Sequence, residues 1–121
     1  MMTGTVQNRR LLLPLAFRLP NRPDLTIEFV VDTGFTDFLT LPAGAVSAMG
    51  LPFLPRAPIV LADGSTAEVA IYEGIILWNG MERLAPVLAT GRRPLLGTAL
   101  LDGQELVAQF QEGGLVTVED L

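Results

Sequence analysis

The side chains best placed to do chemistry gather at Asp32-Thr33-Gly34, which follows the apolar run Ile27, Phe29, Val30, Val31 and precedes Phe38-Leu39-Thr40-Leu41-Pro42. A β-branched strand running into Asp-Thr-Gly delivers one carboxylate to a tight loop, and the glycine lets the chain turn and a partner approach closely. A carboxylate held this way can take up or release a proton, so the chemistry on offer is general acid or base catalysis. The composition narrows it further, because the chain has no His, no Cys and no Lys. Ser-His and Cys-His nucleophile systems, Schiff-base chemistry and ordinary zinc sites are thereby excluded, leaving carboxylates, hydroxyls, backbone groups and Arg.

A chain of 121 residues is expected to form one domain, residues 1–121, with room for a core but not for two lobes. Hydrophobic residues make up 50% and charged residues 17%, with a net charge of −5, the balance of a mildly acidic globular protein. All eight basic residues are Arg and they are dispersed, so no nucleic-acid partner is expected. Arg9-Arg10 followed by Leu11-Leu12-Leu13-Pro14-Leu15-Ala16-Phe17 starts like a leader, but Pro14 breaks the apolar stretch and it runs to Arg18 rather than to a small-residue cleavage site, so a signal peptide is not expected. No stretch approaches the ~18–20 apolar residues needed to cross a bilayer, so a soluble protein with no membrane partner is expected. The lack of Cys agrees with a cytoplasmic location.

The elements that must position Asp32 read as strands of modest length separated by Gly, Pro and Asn/Asp turns, the pattern of an all-β barrel or sandwich with little helix. Residues 5–19 read as one long or bent strand, Pro20-Asn21-Arg22-Pro23-Asp24 as a turn, and 25–31 as the strand into the Asp loop, with 38–41 returning. Residues 42–50 read as a short helix with Pro42 at its start and Gly50 just past its end. Pro52, Pro55 and Pro58 make the next connection extended, and Ala62-Asp63-Gly64-Ser65 is a hairpin turn from Ile59-Val60-Leu61 into 66–77. Asn79-Gly80 is a second hairpin signal, Leu95-Leu96-Gly97 ends a strand before a one-turn helix, and strands near 105–111 and 114–119 are joined at Gly113-Gly114.

On these residues the chain resembles the single-domain aspartic proteases of the retropepsin type, including their bacterial clan AA relatives. The resemblance rests on the strand into Asp32-Thr33-Gly34, the hairpin with its tip near Asp63-Gly64, and Leu95-Leu96-Gly97 before a short helix. Their order and approximate spacing also match, over nearly the whole chain. It implies an all-β, retropepsin-like closed barrel with one or two short helices and an active site at a homodimer interface. It also implies an aspartic endopeptidase acting on a peptide or protein substrate, with no metal or cofactor. Two aspartates about 3 Å apart would share one proton, since like charges that close do not both ionise. The chain has a single Asp-Thr-Gly, so the second carboxylate would be Asp32 of another copy. Thr33 would hydrogen-bond across the dimer, and Gly34 would leave room for the substrate backbone. Residues 59–70, with Leu61, Ala62, Asp63, Gly64 and Ser65 at the tip, would form a flap. Leu95, Leu96 and Gly97 would pack under the Asp loop. Residues 2–6 and strand 114–119 would be candidates for an intersubunit sheet.

The chain also departs from that pattern. After the Gly of the motif most active relatives have Ser or Ala, whereas this chain has Phe35, which is far bulkier and cannot hydrogen-bond the carboxylate. Retroviral members pair an acid two residues after the Gly with an Arg after the second Gly; Thr36 and Thr98 stand there instead, and the paired loss leaves no orphaned charge. Phe35 is the residue that favours a non-catalytic, peptide-binding or scaffolding dimer; the intact Asp-Thr-Gly favours the enzyme. Asp37, Asp63 and Asp102 read as turn or surface acids, Tyr72 and Trp78 as packing residues, and Arg92-Arg93 as a solvated pair. The apolar character of Phe35, Leu39 and the flap strands leads us to expect hydrophobic side chains either side of the scissile bond.

Overall fold

Alternation of apolar and polar residues builds the wall of the molecule. In Arg10–Arg18 (β2), Leu13, Leu15 and Phe17 all point inward and are fully buried, while Pro14 and Arg18 face solvent. In Leu25–Val31 (β3), Phe29 and Val31 are buried and Thr26 and Glu28 exposed. The Phe17 and Phe29 rings, 6.0 Å apart, meet in the middle of the core. The computed structural model describes residues 1–60 and 63–121, and the side chains of these apart from 55–60, 67 and 68.

The remaining elements, in chain order, are Met2–Gln7 (β1) before β2, then Leu39–Leu41 (β4), Ala43–Met49 (α1), Phe53–Val60 (β5), Thr66–Trp78 (β6), Met81–Ala89 (β7), Leu95–Leu96 (β8), Thr98–Leu101 (α2), Gln104–Ala108 (β9) and Leu115–Asp120 (β10). The strands hydrogen-bond in the order β5-β6-β7-β4-β8-β3-β2-β1-β10-β9, and an extra pairing joins β6 to β2 through Phe17↔Ile76 and Arg18↔Ile75. That pairing closes β2-β3-β8-β4-β7-β6 into a six-stranded barrel. β5 lies outside β6, and β1-β10-β9 extends from β2. Leu39, Leu41, Ile76, Ala85, Val87 and Leu96 fill the barrel, and α1 and α2 add Val46, Met49 and Leu100. Gly50, at φ 66, ends α1 by sending its N–H to the Ser47 carbonyl.

Four expectations change. Residues 5–19 are not one strand: Asn8 and Arg9, at φ 51 and 64, turn the chain so that β1 and β2 pair antiparallel. Arg9 occupies a left-handed position that glycine usually takes, which hides this turn from a reading of residue types. The proline-rich connection is strand β5, whose place at the sheet edge tolerates residues without an N–H. Residues 2–6 and 114–119 do not offer free edges for an intersubunit sheet, because β1 sits between β2 and β10, and β10 between β1 and β9. The fourth concerns Leu39, which is fully buried in the barrel and cannot line a cleft. Among the described residues no helix is long and apolar enough to cross a membrane.

Candidate active site

Asp32 leaves the end of β3 where that strand runs parallel to β8, with Val30 beside Leu95 and Val31 beside Leu96. β8 pairs on its other side antiparallel to β4, through Leu39↔Leu96 and Thr40↔Leu95. The two-residue strand β8 is thus a wedge between the strand entering the Asp loop and the strand leaving it. Four backbone hydrogen bonds tie the loop to the end of the wedge and the segment after it. Asp32 N–H donates to Leu96 O at 2.9 Å, Gly97 N–H to Phe38 O at 2.8 Å, Thr98 N–H to Phe35 O at 2.8 Å, and Ala99 N–H to Asp37 O at 3.3 Å. The carbonyls of loop residues 35 and 37 therefore accept the first N–H groups of α2, groups that have no partner inside a helix.

Within the loop, Gly34 N–H donates to Oδ1 of Asp32 at 2.9 Å and Phe35 N–H to Asp32 O at 3.1 Å. The Gly34 bond orients one oxygen of the Asp32 carboxylate. Asp32 is half-buried, Thr33, Gly34 and Thr36 are exposed, and Phe35 is half-buried. The Phe35 ring lies against Gly97: a methyl on Gly97 would come within 2.6 Å of its Cδ2, 2.7 Å of its carbonyl oxygen and 2.1 Å of the Asp37 carbonyl oxygen. Thr98 also donates its hydroxyl to Phe35 O at 3.4 Å. The positions 36 and 98 are not joined to each other; Thr98 holds Phe35 instead.

Leu96 and Gly97 are buried and Leu95 half-buried beside the loop. Asp37 acts within the turn: its Oδ1 accepts the Phe38 N–H at 2.8 Å, while Arg83 lies over the Phe38 ring at 6.0 Å from its centroid. Composition could not reveal the outer face beside the carboxylate, where half-buried Val30, two residues before Asp32, stands next to half-buried Leu95.

The hairpin of β5 and β6 is in place, with Val60 opposite Thr66. Leu61 and Ala62 of the expected flap tip lie outside the described residues. Asp63, Gly64 and Ser65 are exposed, Gly64 turns at φ 83, and Asp63 Oδ1 accepts both the N–H and the hydroxyl of Ser65, at 2.9 and 2.5 Å. Those two bonds, the hydroxyl first, hold the Asp63 carboxyl below its ordinary value. Tyr72 packs edge-on to Phe53, and Trp78 is buried in the core. A cleft lined by Val6, Asn8, Arg9, Phe110, Gln111 and Glu112 lies beside the β1–β2 turn and does not include Asp32.

Comparison with known proteins bears on this arrangement. No family model and no curated protein matches the chain. Among solved structures, a retropepsin-like aspartic protease from Rickettsia conorii superposes with a TM-score of 0.56, covering 99% of this chain and 91% of that one at 16% identity. The fold is retropepsin-like. At that identity the likeness speaks for the architecture, and the chemistry has to be argued from the loop itself.

Proposed function

We propose that residues 1–121 form the subunit of a homodimeric aspartic endopeptidase, in which a water bound between two Asp32 carboxylates hydrolyses a peptide bond. The observation that carries this reading is the Asp32 loop: one carboxylate, oriented by Gly34 N–H and pinned through four backbone bonds to 96–99, inside a retropepsin-like barrel. A loop so held spends no energy on reorganisation when charge moves.

In the dimer the two carboxylates share one proton. The ionised one takes a proton from the water, whose oxygen attacks the scissile carbonyl carbon, while the protonated one gives its proton to the carbonyl oxygen. The resulting tetrahedral diol collapses as the C–N bond breaks: one diol hydroxyl returns its proton to the ionised carboxylate, the nitrogen receives a proton from the other, and acid and amine leave with the dyad again holding one proton. The β5–β6 hairpin would close over the substrate and exclude water. Val30 and Leu95, on the outer face beside Asp32, favour apolar side chains next to the scissile bond. The half-burial of Phe35 against Gly97 supports an open approach to the carboxylate.

The test is cleavage of an unfolded protein mixture from about pH 3 to 7 by wild type and Asp32→Asn, with size measured alongside. We expect a dimer with a bell-shaped, acid-shifted profile belonging to the pair, and loss of cleavage in the variant. A folded dimer that cleaves nothing at any pH would overturn the enzyme in favour of a peptide-binding module. A monomer under all conditions would overturn the shared site altogether.

A further inference from the structure

We propose that Phe35 and Thr98 are positioning residues, which set the angle of the Asp32 carboxylate through an uncharged latch on α2; the proposal rests on the peptidase reading above. Asp32 N–H is tied to Leu96 O at the end of β3, and the local bonds within 32–35 close a turn around the carboxylate beyond that tie. The first anchor beyond it is Phe35. Its carbonyl oxygen receives both the N–H and the hydroxyl of Thr98, and its ring rests in the space left by the missing side chain of Gly97. Two kinds of contact, one directional and one apolar, therefore act on the same residue three positions after Asp32.

The latch contains no formal charge. The ion pairs among the described residues are both made by Arg18 on β2, to Asp24 in the β2–β3 connection and Glu82 on β7, and neither involves a residue of this loop. Asp37 bonds the N–H of its own neighbour, and Arg83 stacks on Phe38 rather than reaching Phe35. A hydrogen bond to a carbonyl and a ring on a glycine are little affected by salt, which screens charges. The loop geometry is thus set by size and shape at 35 and 97 and by the donor pair at 98. A bulky residue directly after Asp-Thr-Gly serves the site from behind.

The experiment compares Phe35→Ala, Phe35→Leu and Thr98→Val with wild type by amide hydrogen exchange and by peptide hydrolysis. In Phe35→Ala the amides of Thr98 and Ala99 should exchange about tenfold faster while those of Leu13 and Val87 in the barrel keep their protection. kcat should fall about tenfold with KM nearly unchanged, because a misplaced carboxylate costs the chemical step rather than substrate binding. Phe35→Leu, which refills only part of the space at Gly97, should bring both effects down to about threefold, and Thr98→Val, which keeps the N–H donor, should also show a smaller version of them. Should Phe35→Ala fail to fold, Phe35→Leu decides: exchange at Thr98 and Ala99 raised about threefold supports the latch, and exchange at the wild-type rate overturns it. A raised KM at constant kcat would also overturn it, by making Phe35 a substrate contact. If the wild type hydrolyses nothing, the peptidase reading falls, while the exchange arm still decides whether the latch exists.

Discussion

Gly97→Ala adds one methyl where the Asp loop meets α2. The backbone at Gly97, φ −98 and ψ 174, is open to alanine, so the substitution carries no conformational penalty and even gains roughly 0.4–1 kcal/mol by stiffening the unfolded chain. Space decides the outcome. The new carbon would lie 2.1 Å from Asp37 O and 2.7 Å from Phe35 O, where a carbon and a carbonyl oxygen ordinarily rest about 3.3 Å apart. The loop must retreat by about 1 Å, which stretches the bonds now at 2.8 Å from Gly97 N–H to Phe38 O and from Thr98 N–H to Phe35 O past useful length. Two or three lost backbone bonds at about 1 kcal/mol each, with residual overpacking, less the entropy gain, give a net destabilisation of about 2–4 kcal/mol. Urea unfolding followed by Trp78 fluorescence measures it. Hydrolysis per folded molecule should fall about a hundredfold, the usual cost of a misplacement near 1 Å. Gly44→Ala is the contrast: it sits in α1 with nothing within 4 Å, and should stabilise by about 0.5–1 kcal/mol through helix propensity alone. A Gly97→Ala protein within about 0.5 kcal/mol of wild type would refute the account of the loop, since no rearrangement of a backbone this well bonded should be that cheap.

Two further substitutions probe other parts of the chain. Arg9→Gly relieves a left-handed residue at φ 64 in the β1–β2 turn and should raise stability by roughly 0.5–1 kcal/mol in thermal or urea unfolding; a loss of stability would mean that the Arg9 side chain holds the turn through contacts of its own. Ser65→Ala removes the hydroxyl that does most to lower the Asp63 pKa, so the carboxyl should titrate at higher pH in a carbon-detected NMR titration, still short of its ordinary value because the Ser65 N–H remains. Since the folded value lies below the unfolded one, Asp63 contributes stability above its unfolded pKa, and that contribution fades as pH falls through the folded value. In the variant it should fade at higher pH, and an unmoved Asp63 titration would remove Ser65 as the cause.

Local chemistry made much of this molecule legible. Ile27, Phe29 and Val31 announce a strand, Pro42 and Gly50 bracket α1, and Asn79-Gly80 marks a hairpin, because in each case the deciding interaction lies within a few residues. The β1–β2 hairpin was hidden because a long-range contact supports it: the Asn8 N–H is bonded by the carboxylate of Glu112 at 2.9 Å. Strand β5 was hidden because proline forbids a central strand and not an edge, and edges exist only once the sheet does.

The sequence by itself determined which chemistry is possible, since the absence of His, Cys and Lys is a fact of composition, and it determined that one carboxylate would stand on a tight turn after an apolar strand. Tertiary structure decided the rest of the site. Whether Phe35 faces substrate or protein, whether Thr98 bonds Thr36 or Phe35, and whether residues 2–6 and 114–119 are free or paired all depend on how β8 wedges between β3 and β4 and how β10 lies between β1 and β9. Apart from β10 with β9, those pairings join residues some 55 to 115 positions apart, as in Val30↔Leu95 and Thr3↔Thr117. Turn and strand preferences act over a few bonds, whereas such pairings are chosen by the packing of the whole barrel, and only the folded chain expresses that choice.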